Sequence, residues 1–119
     1  NIQDVSVVHV TRRTGPTFIE DDVTIGHHVV VHACRVKRGA LLGIGARVLD
    51  HAEIGEEAMV GGGAVVSPRT VIPPRQLALG VPARVVRPLT DEELAYNRET
   101  AENYRRLGLQ HARDRGDRG

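Results

Sequence analysis

Residues 36–72 read VKRGALLGIGARVLDHAEIGEEAMVGGGAVVSPRTVI, and the spacing inside this stretch decides the fold. A branched or long aliphatic residue stands at every sixth position: Val36, Leu42, Val48, Ile54, Val60, Val66 and Ile72. Four residues after each of the first five sits an alanine, at Ala40, Ala46, Ala52, Ala58 and Ala64. Neither a helical period of 3.6 nor a strand period of 2 explains both series. A six-residue unit suits one flat face of a triangular coil, with the aliphatic side chain filling the interior and the alanine near a corner. Three units then complete a turn of roughly 18 residues, and successive turns stack at ~4.8 Å, the ordinary strand spacing. Glycines between the two series, Gly43, Gly45, Gly55, Gly61 and Gly63, supply the positive φ angles and close approaches that corners demand.

Working outward, the same register holds at Ile19 and Ile25, but Ile25 to Val36 spans eleven residues where two units need twelve. One unit there has lost a residue. Thr11-Arg12-Arg13-Thr14-Gly15-Pro16 reads as a short loop leaving the coil. The chain opens on Asn1 and passes straight into apolar alternation (Ile2, Val5, Val7, Val8, Val10), so further coils are expected ahead of it. Past the repeats, Pro73-Pro74 and Gly80-Val81-Pro82 mark turns and Pro88 ends the extended chain. Thr90-Asp91-Glu92-Glu93 is a capping box, and Leu94, Ala101, Tyr104 and Leu107 fall near helical spacing, which predicts a helix over about 91–108. The run Arg113 to Arg118 reads as a solvated tail, and the Arg-Gly-Asp triplet inside it carries no weight. The expected class is an all-β solenoid, a left-handed parallel β-helix of hexapeptide repeats over 1–88, with a C-terminal α-helix over 89–108 and a disordered tail over 109–119.

Composition agrees with a repetitive core. One Phe, two Tyr and no Trp among 119 residues leave small and branched side chains to tile the interior of a single domain. Sixteen basic against fifteen acidic residues, with no basic stretch in the body of the chain, give no reason to expect nucleic acid as a partner. No apolar run approaches a membrane span, and the single cysteine, Cys34, excludes an internal disulfide. The cytoplasm is the default location. Cys34 falls at or near a small corner position and reads as core.

Six histidines are many for this length, and His9, His27, His28 and His32 fall within 24 residues around the two register breaks. His9 and His27 are 18 residues apart, one nominal turn, so they become neighbours on adjacent coils if the loop between them does not spoil the register. His32 lies about one face further on than His27. One chain does not readily point all three at one atom, whereas a closed trimer offers the missing imidazole across an interface. Zinc, iron(II) or cobalt accepts three neutral imidazoles and keeps a fourth position open. The alternative is that these histidines only make surface or interface hydrogen bonds. His28 and His51 read as exposed neighbours, and His111 belongs to the tail.

Three separated motifs occur in order: Asn1-Ile2-Gln3-Asp4-Val5-Ser6-Val7-Val8-His9, Ile25-Gly26-His27-His28-Val29-Val30-Val31-His32-Ala33-Cys34, and Leu79-Gly80-Val81-Pro82-Ala83-Arg84-Val85-Val86-Arg87. Together they resemble the gamma-class carbonic anhydrase-like proteins, over residues 1 to about 108. The resemblance implies a homotrimer with a divalent metal at its subunit interfaces and reversible hydration of CO2 to bicarbonate. By position, His9, His27 and His32 match the three metal ligands, His27 meeting a metal held by His9 and His32 of the adjacent chain. Gln3 matches the glutamine that hydrogen-bonds water or bicarbonate at the metal, and Asn1 and Asp4 match its polar neighbours. Asn103 and Tyr104 resemble an asparagine-tyrosine pair on the C-terminal helix. The family's essential arginine and aspartate belong to coils ahead of Asn1, and Arg12, Arg13 and Thr14 stand where some members carry an acidic proton-shuttle loop.

Two other functions suit the same repeats. A hexapeptide acyltransferase or coenzyme A thioesterase needs one histidine as general base, fewer than are clustered here. A non-catalytic scaffold would use the flat faces only for docking.

Overall fold

The computed structural model describes the backbone of residues 7–9 and 15–116 and the side chains of residues 15–107. Among the described residues, thirteen strands and one helix follow in order. The first face of the coil stacks β1 (Val7–His9), β4 (Val30–His32), β7 (Arg47–Val48) and β10 (Val65–Val66). A second face stacks β2 (Phe18–Ile19), β5 (Arg35–Val36), β8 (Glu53–Ile54) and β11 (Val71–Ile72). The third stacks β3 (Thr24–Ile25), β6 (Leu41–Leu42), β9 (Met59–Val60) and β12 (Gln76–Leu79), with β13 (Arg84–Pro88) added antiparallel at its end. Every other pairing is parallel and joins equivalent positions one coil apart, Val36 to Ile54 to Ile72 and Leu42 to Val60 to Ala78. The chain is a left-handed parallel β-helix, as the period of six requires.

The two sequence series form the interior. Val36, Leu42, Val48, Ile54, Val60 and Val66 are fully buried, as are Ala40, Ala46 and Ala58, and Ile72, Ala52 and Ala64 are within 1% of it. The residue before each aliphatic position is exposed or half-buried, so strands of two residues suffice to wall the column.

Glycine holds fewer corners than expected. The positive-φ position recurs at Gly39, Gly45, His51, Glu57, Gly63, Arg69 and Arg75, so four of these seven corners put an ordinary side chain in the left-handed region. Each such residue costs ~1–2 kcal/mol of backbone energy. Stacking offsets it, because each of these amides donates to a carbonyl on the preceding coil: His51 to Ala33, Glu57 to Arg38, Arg69 to Asp50 and Arg75 to Glu56.

After the coils, Thr90 starts helix α1 (Asp91–Gly116). The capping box forms reciprocally, Glu93 N–H donating to Thr90 Oγ1 at 3.1 Å and Thr90 N–H to a Glu93 carboxylate oxygen at 2.9 Å. Leu94 then closes a small apolar cluster with Leu77, Leu89 and Met59, which seats the helix beside the third face. The helix continues past its expected end near Gly108 as far as Gly116, across most of the stretch read as tail. One internal glycine costs a helix only ~1 kcal/mol, and Leu109 to Arg115 contain no proline to stop it. Among the described residues, no helix is long and apolar enough to cross a membrane.

Candidate metal centre

Coil register decides which histidines meet. On the first face β1 pairs with β4 as Val7 to Val30, Val8 to Val31 and His9 to His32. The expectation from 18-residue spacing, that His9 neighbours His27, is therefore corrected. The partner of His9 stands 23 residues on rather than 18, so this coil is longer than the nominal turn. His9 and His32 end adjacent strands of one face, next to the same corner.

The lost residue falls immediately after His32. Along the coils, positive-φ positions run Asp22, His28, Ala33 and Gly39, and the step from His28 to Ala33 is five residues while its neighbours are six. Ala33 turns the corner alone where the equivalent corner one coil on uses Asp50 and His51. The short corner is secured from both sides: Ala33 N–H donates to Thr17 Oγ1 at 2.8 Å, and Ala33 C=O accepts from His51 N–H at 2.7 Å. Against it lies the Asp50 carboxylate, which forms a short contact with His32 Nδ1. Both side chains are partly covered, with 26% and 32% of their surfaces exposed.

His27 sits at the opposite edge of the same face. It is exposed in the turn between β3 and β4, and its carbonyl accepts from Gly45 N–H at 2.9 Å. Four residues stand between it and His32, which ends β4 at the far side of the face. Among the described residues, no three His, Cys, Asp or Glu side chains converge as a metal-binding group. His28 and His51 are exposed at positive-φ corner positions.

Asn103 and Tyr104 are exposed on α1, and Tyr104 lines a groove of about 570 Å³ with Asp22, Thr24 and Arg38 beside the corner between the second and third faces. That corner holds neither His27 nor His32. Asn1, Gln3, Asp4 and the loop residues Arg12, Arg13 and Thr14 lie outside the described residues, as do the side chains of His9 and His111. Cys34 is 3% exposed within the main core cluster, and burial pushes its thiol up to about 11. It is core and chemically quiet. Asp50 escaped the sequence reading, although it stands one nominal coil, 18 residues, after His32.

The donor set is consistent with a zinc-type cation: imidazoles presented at two edges of a flat face, one of them backed by a carboxylate.

No family model matches the chain. It is 44% identical to the mitochondrial gamma carbonic anhydrase 1 of Arabidopsis thaliana over 117 residues, 94% of this chain and 42% of that relative. Against a protein of Methanocaldococcus jannaschii described as a probable carbonic anhydrase, identity is 47% over 107 residues, 90% of this chain and 67% of the relative. A hexapeptide transferase family protein from Anaplasma phagocytophilum superposes with a TM-score of 0.86 at 37% identity, covering 92% of this chain and 64% of that one. The chain thus spans less than half the length of the Arabidopsis relative and two thirds of the archaeal one. Repeat register, histidine placement and these identities agree: the chain belongs to the gamma-class carbonic anhydrase family of hexapeptide-repeat proteins.

Proposed function

We propose that the chain is a subunit of a homotrimer that interconverts CO2 and bicarbonate, with a divalent cation, zinc or else iron(II) or cobalt, held between subunits. His9 and His32 of one subunit and His27 of the next are its ligands. One observation carries this reading: the register pairs His9 with His32 at one edge of a flat face and leaves His27 at the other. Packing such faces around a threefold axis brings one subunit's His27 edge to its neighbour's His9 and His32 edge, three times over.

When bound, such a cation supplies a Lewis acid at which water ionises near neutral pH. The protein's part is to hold and orient. His32 enters on a short, doubly hydrogen-bonded corner, so its position is set before any ion arrives. Gln3 orients the reacting water, since its amide both donates and accepts, with Asn1 and Asp4 as polar neighbours. Asn103 and Tyr104, on the helix side of the coil, reach the site of an adjacent subunit.

The test is elemental analysis of the purified protein, prepared without air, at a measured oligomeric mass, followed by a CO2 hydration assay before and after chelation. About one metal per chain in a trimer, with hydration lost on chelation and restored by metal, is expected. Likeness to a hexapeptide transferase family protein favours one competing reading, acyl transfer from a coenzyme A ester. Acetyl-CoA turnover that survives complete metal removal would establish that reading instead.

A further inference from the structure

The contact between Asp50 and His32 joins side chains from successive coils, and the coil geometry explains it. The two corners differ in length by one residue, so the residue in excess on the second coil, Asp50, has no counterpart above it and its carboxylate lies against the imidazole instead. Both corners are pinned by backbone: His51 N–H donates to Ala33 C=O at 2.7 Å, and Asp50 C=O accepts from Arg69 N–H at 2.9 Å. Ring and carboxylate are thus each held within one residue of a fixed point.

We propose that Asp50 is the positioning residue of the metal site, acting through His32. Its carboxylate accepts a hydrogen bond from Nδ1–H, which fixes the tautomer with the lone pair on Nε2 and sets the plane of the ring. It also makes the imidazole a stronger donor, as a carboxylate behind a ligating histidine does. Partial covering of both side chains keeps this hydrogen bond from being fully competed by water. The proposal rests on the three-histidine site above, and it adds a residue whose loss leaves all three ligands in place.

Zinc affinity of the trimer, measured by competition with a chromophoric chelator, tests it in wild type, Asp50→Asn and Asp50→Ala. Affinity falls by roughly 10- to 100-fold in Asp50→Ala and by less in Asp50→Asn, which keeps an acceptor but not the charge. The metal-free thermal midpoint and the oligomeric mass stay within error of wild type. As a second readout, long-range nitrogen-proton NMR of the metal-free protein finds the His32 proton on Nδ1 in wild type and a tautomer mixture in Asp50→Ala. If wild type binds zinc and Asp50→Ala binds it within twofold, the positioning role is wrong while the three-histidine site stands. If wild type binds neither zinc nor cobalt nor iron(II), both fall. Should Asp50→Ala not fold, Asp50→Asn alone decides, and unchanged affinity with an unchanged tautomer overturns the role.

Discussion

At the scale of single residues, two glycines at neighbouring corners do opposite jobs. A Cβ built on Gly55 would stand 2.5 Å from Pro74 N and 2.7 Å from Ile72 O, backbone atoms of the next coil that cannot yield. At Gly63 the same atom meets nothing within 4 Å, and only its φ of +71° favours glycine. Gly55→Ala is therefore expected to destabilise by at least ~1–3 kcal/mol, the range for overpacking. Gly63→Asn, which tolerates the left-handed region, is expected to cost well under ~1 kcal/mol. Denaturant midpoints of the two variants read this difference, and equal losses would mean that close coil stacking is not what Gly55 serves. Cys34 gives a second check. With its thiol raised to about 11 by burial, it resists iodoacetamide at about pH 8 in the folded protein and reacts fully once unfolded. Rapid labelling under native conditions would contradict its place in the core.

At the scale of elements, α1 is held to the solenoid by its cap and by a line of ion pairs. Thr90 and Glu93 close the start, and Arg87 grips the Glu93 carboxylate at 2.6 and 2.9 Å. Further on, Arg98 takes both oxygens of Glu57, at 2.6 and 2.9 Å, and Arg105 reaches Asp22 at 3.4 Å. Thr90→Ala is expected to cost ~0.5–2 kcal/mol of helix anchoring, visible as faster hydrogen exchange in the first turns of α1. Hydrogen bonding from Arg87 brings Glu93 down from the ordinary 4.5 to about 2, and hydrogen bonding from Arg98 lowers Glu57. Depressed carboxylates contribute stability that is complete above the unfolded value and disappears as pH falls through the folded one. The helix start therefore loosens between pH 4.5 and about 2, with the apolar coil still intact. Circular dichroism should show helical signal lost over that window before the strand signal changes, and a helix unmoved down to pH 2 would contradict the anchoring role. The cap was legible in the sequence because its partners are three residues apart. Arg98 and Glu57 were not, since 41 residues separate them and only the folded coil brings that corner beneath the helix. Nor was the end of α1 at Gly116, where a mid-helix glycine reads as a stop although its cost is small.

At the scale of the whole molecule, the coil is a ruler, and the histidines are where its marks shift. The period of six in Val36 to Ile72 settled the solenoid, because interior position and pairing register are the same fact in a stacked coil. Positions across a break were harder to read. Counting 18 residues from His9 pointed to His27, whereas the longer coil delivers His32. Counting the missing residue between Ile25 and Val36 told that one unit was short, but not that the loss falls at the corner after His32 and sets Asp50 against its ring. How much residue is looped out of a coil is invisible to spacing alone, while the pairing of strands fixes it.

The claim on which the rest depends is that each metal is shared between subunits, and mixing two broken subunits tests it most directly. His27→Ala and His32→Ala each lose metal as pure proteins. Co-expressed in equal amounts, they pair an intact His27 edge with an intact His9 and His32 edge at about one quarter of the interfaces of a random trimer. Metal analysis of the mixed trimers should recover about that fraction of the wild-type content. Metal-free mixed trimers would instead place all the ligands of each site within one chain, and the shared site would be wrong.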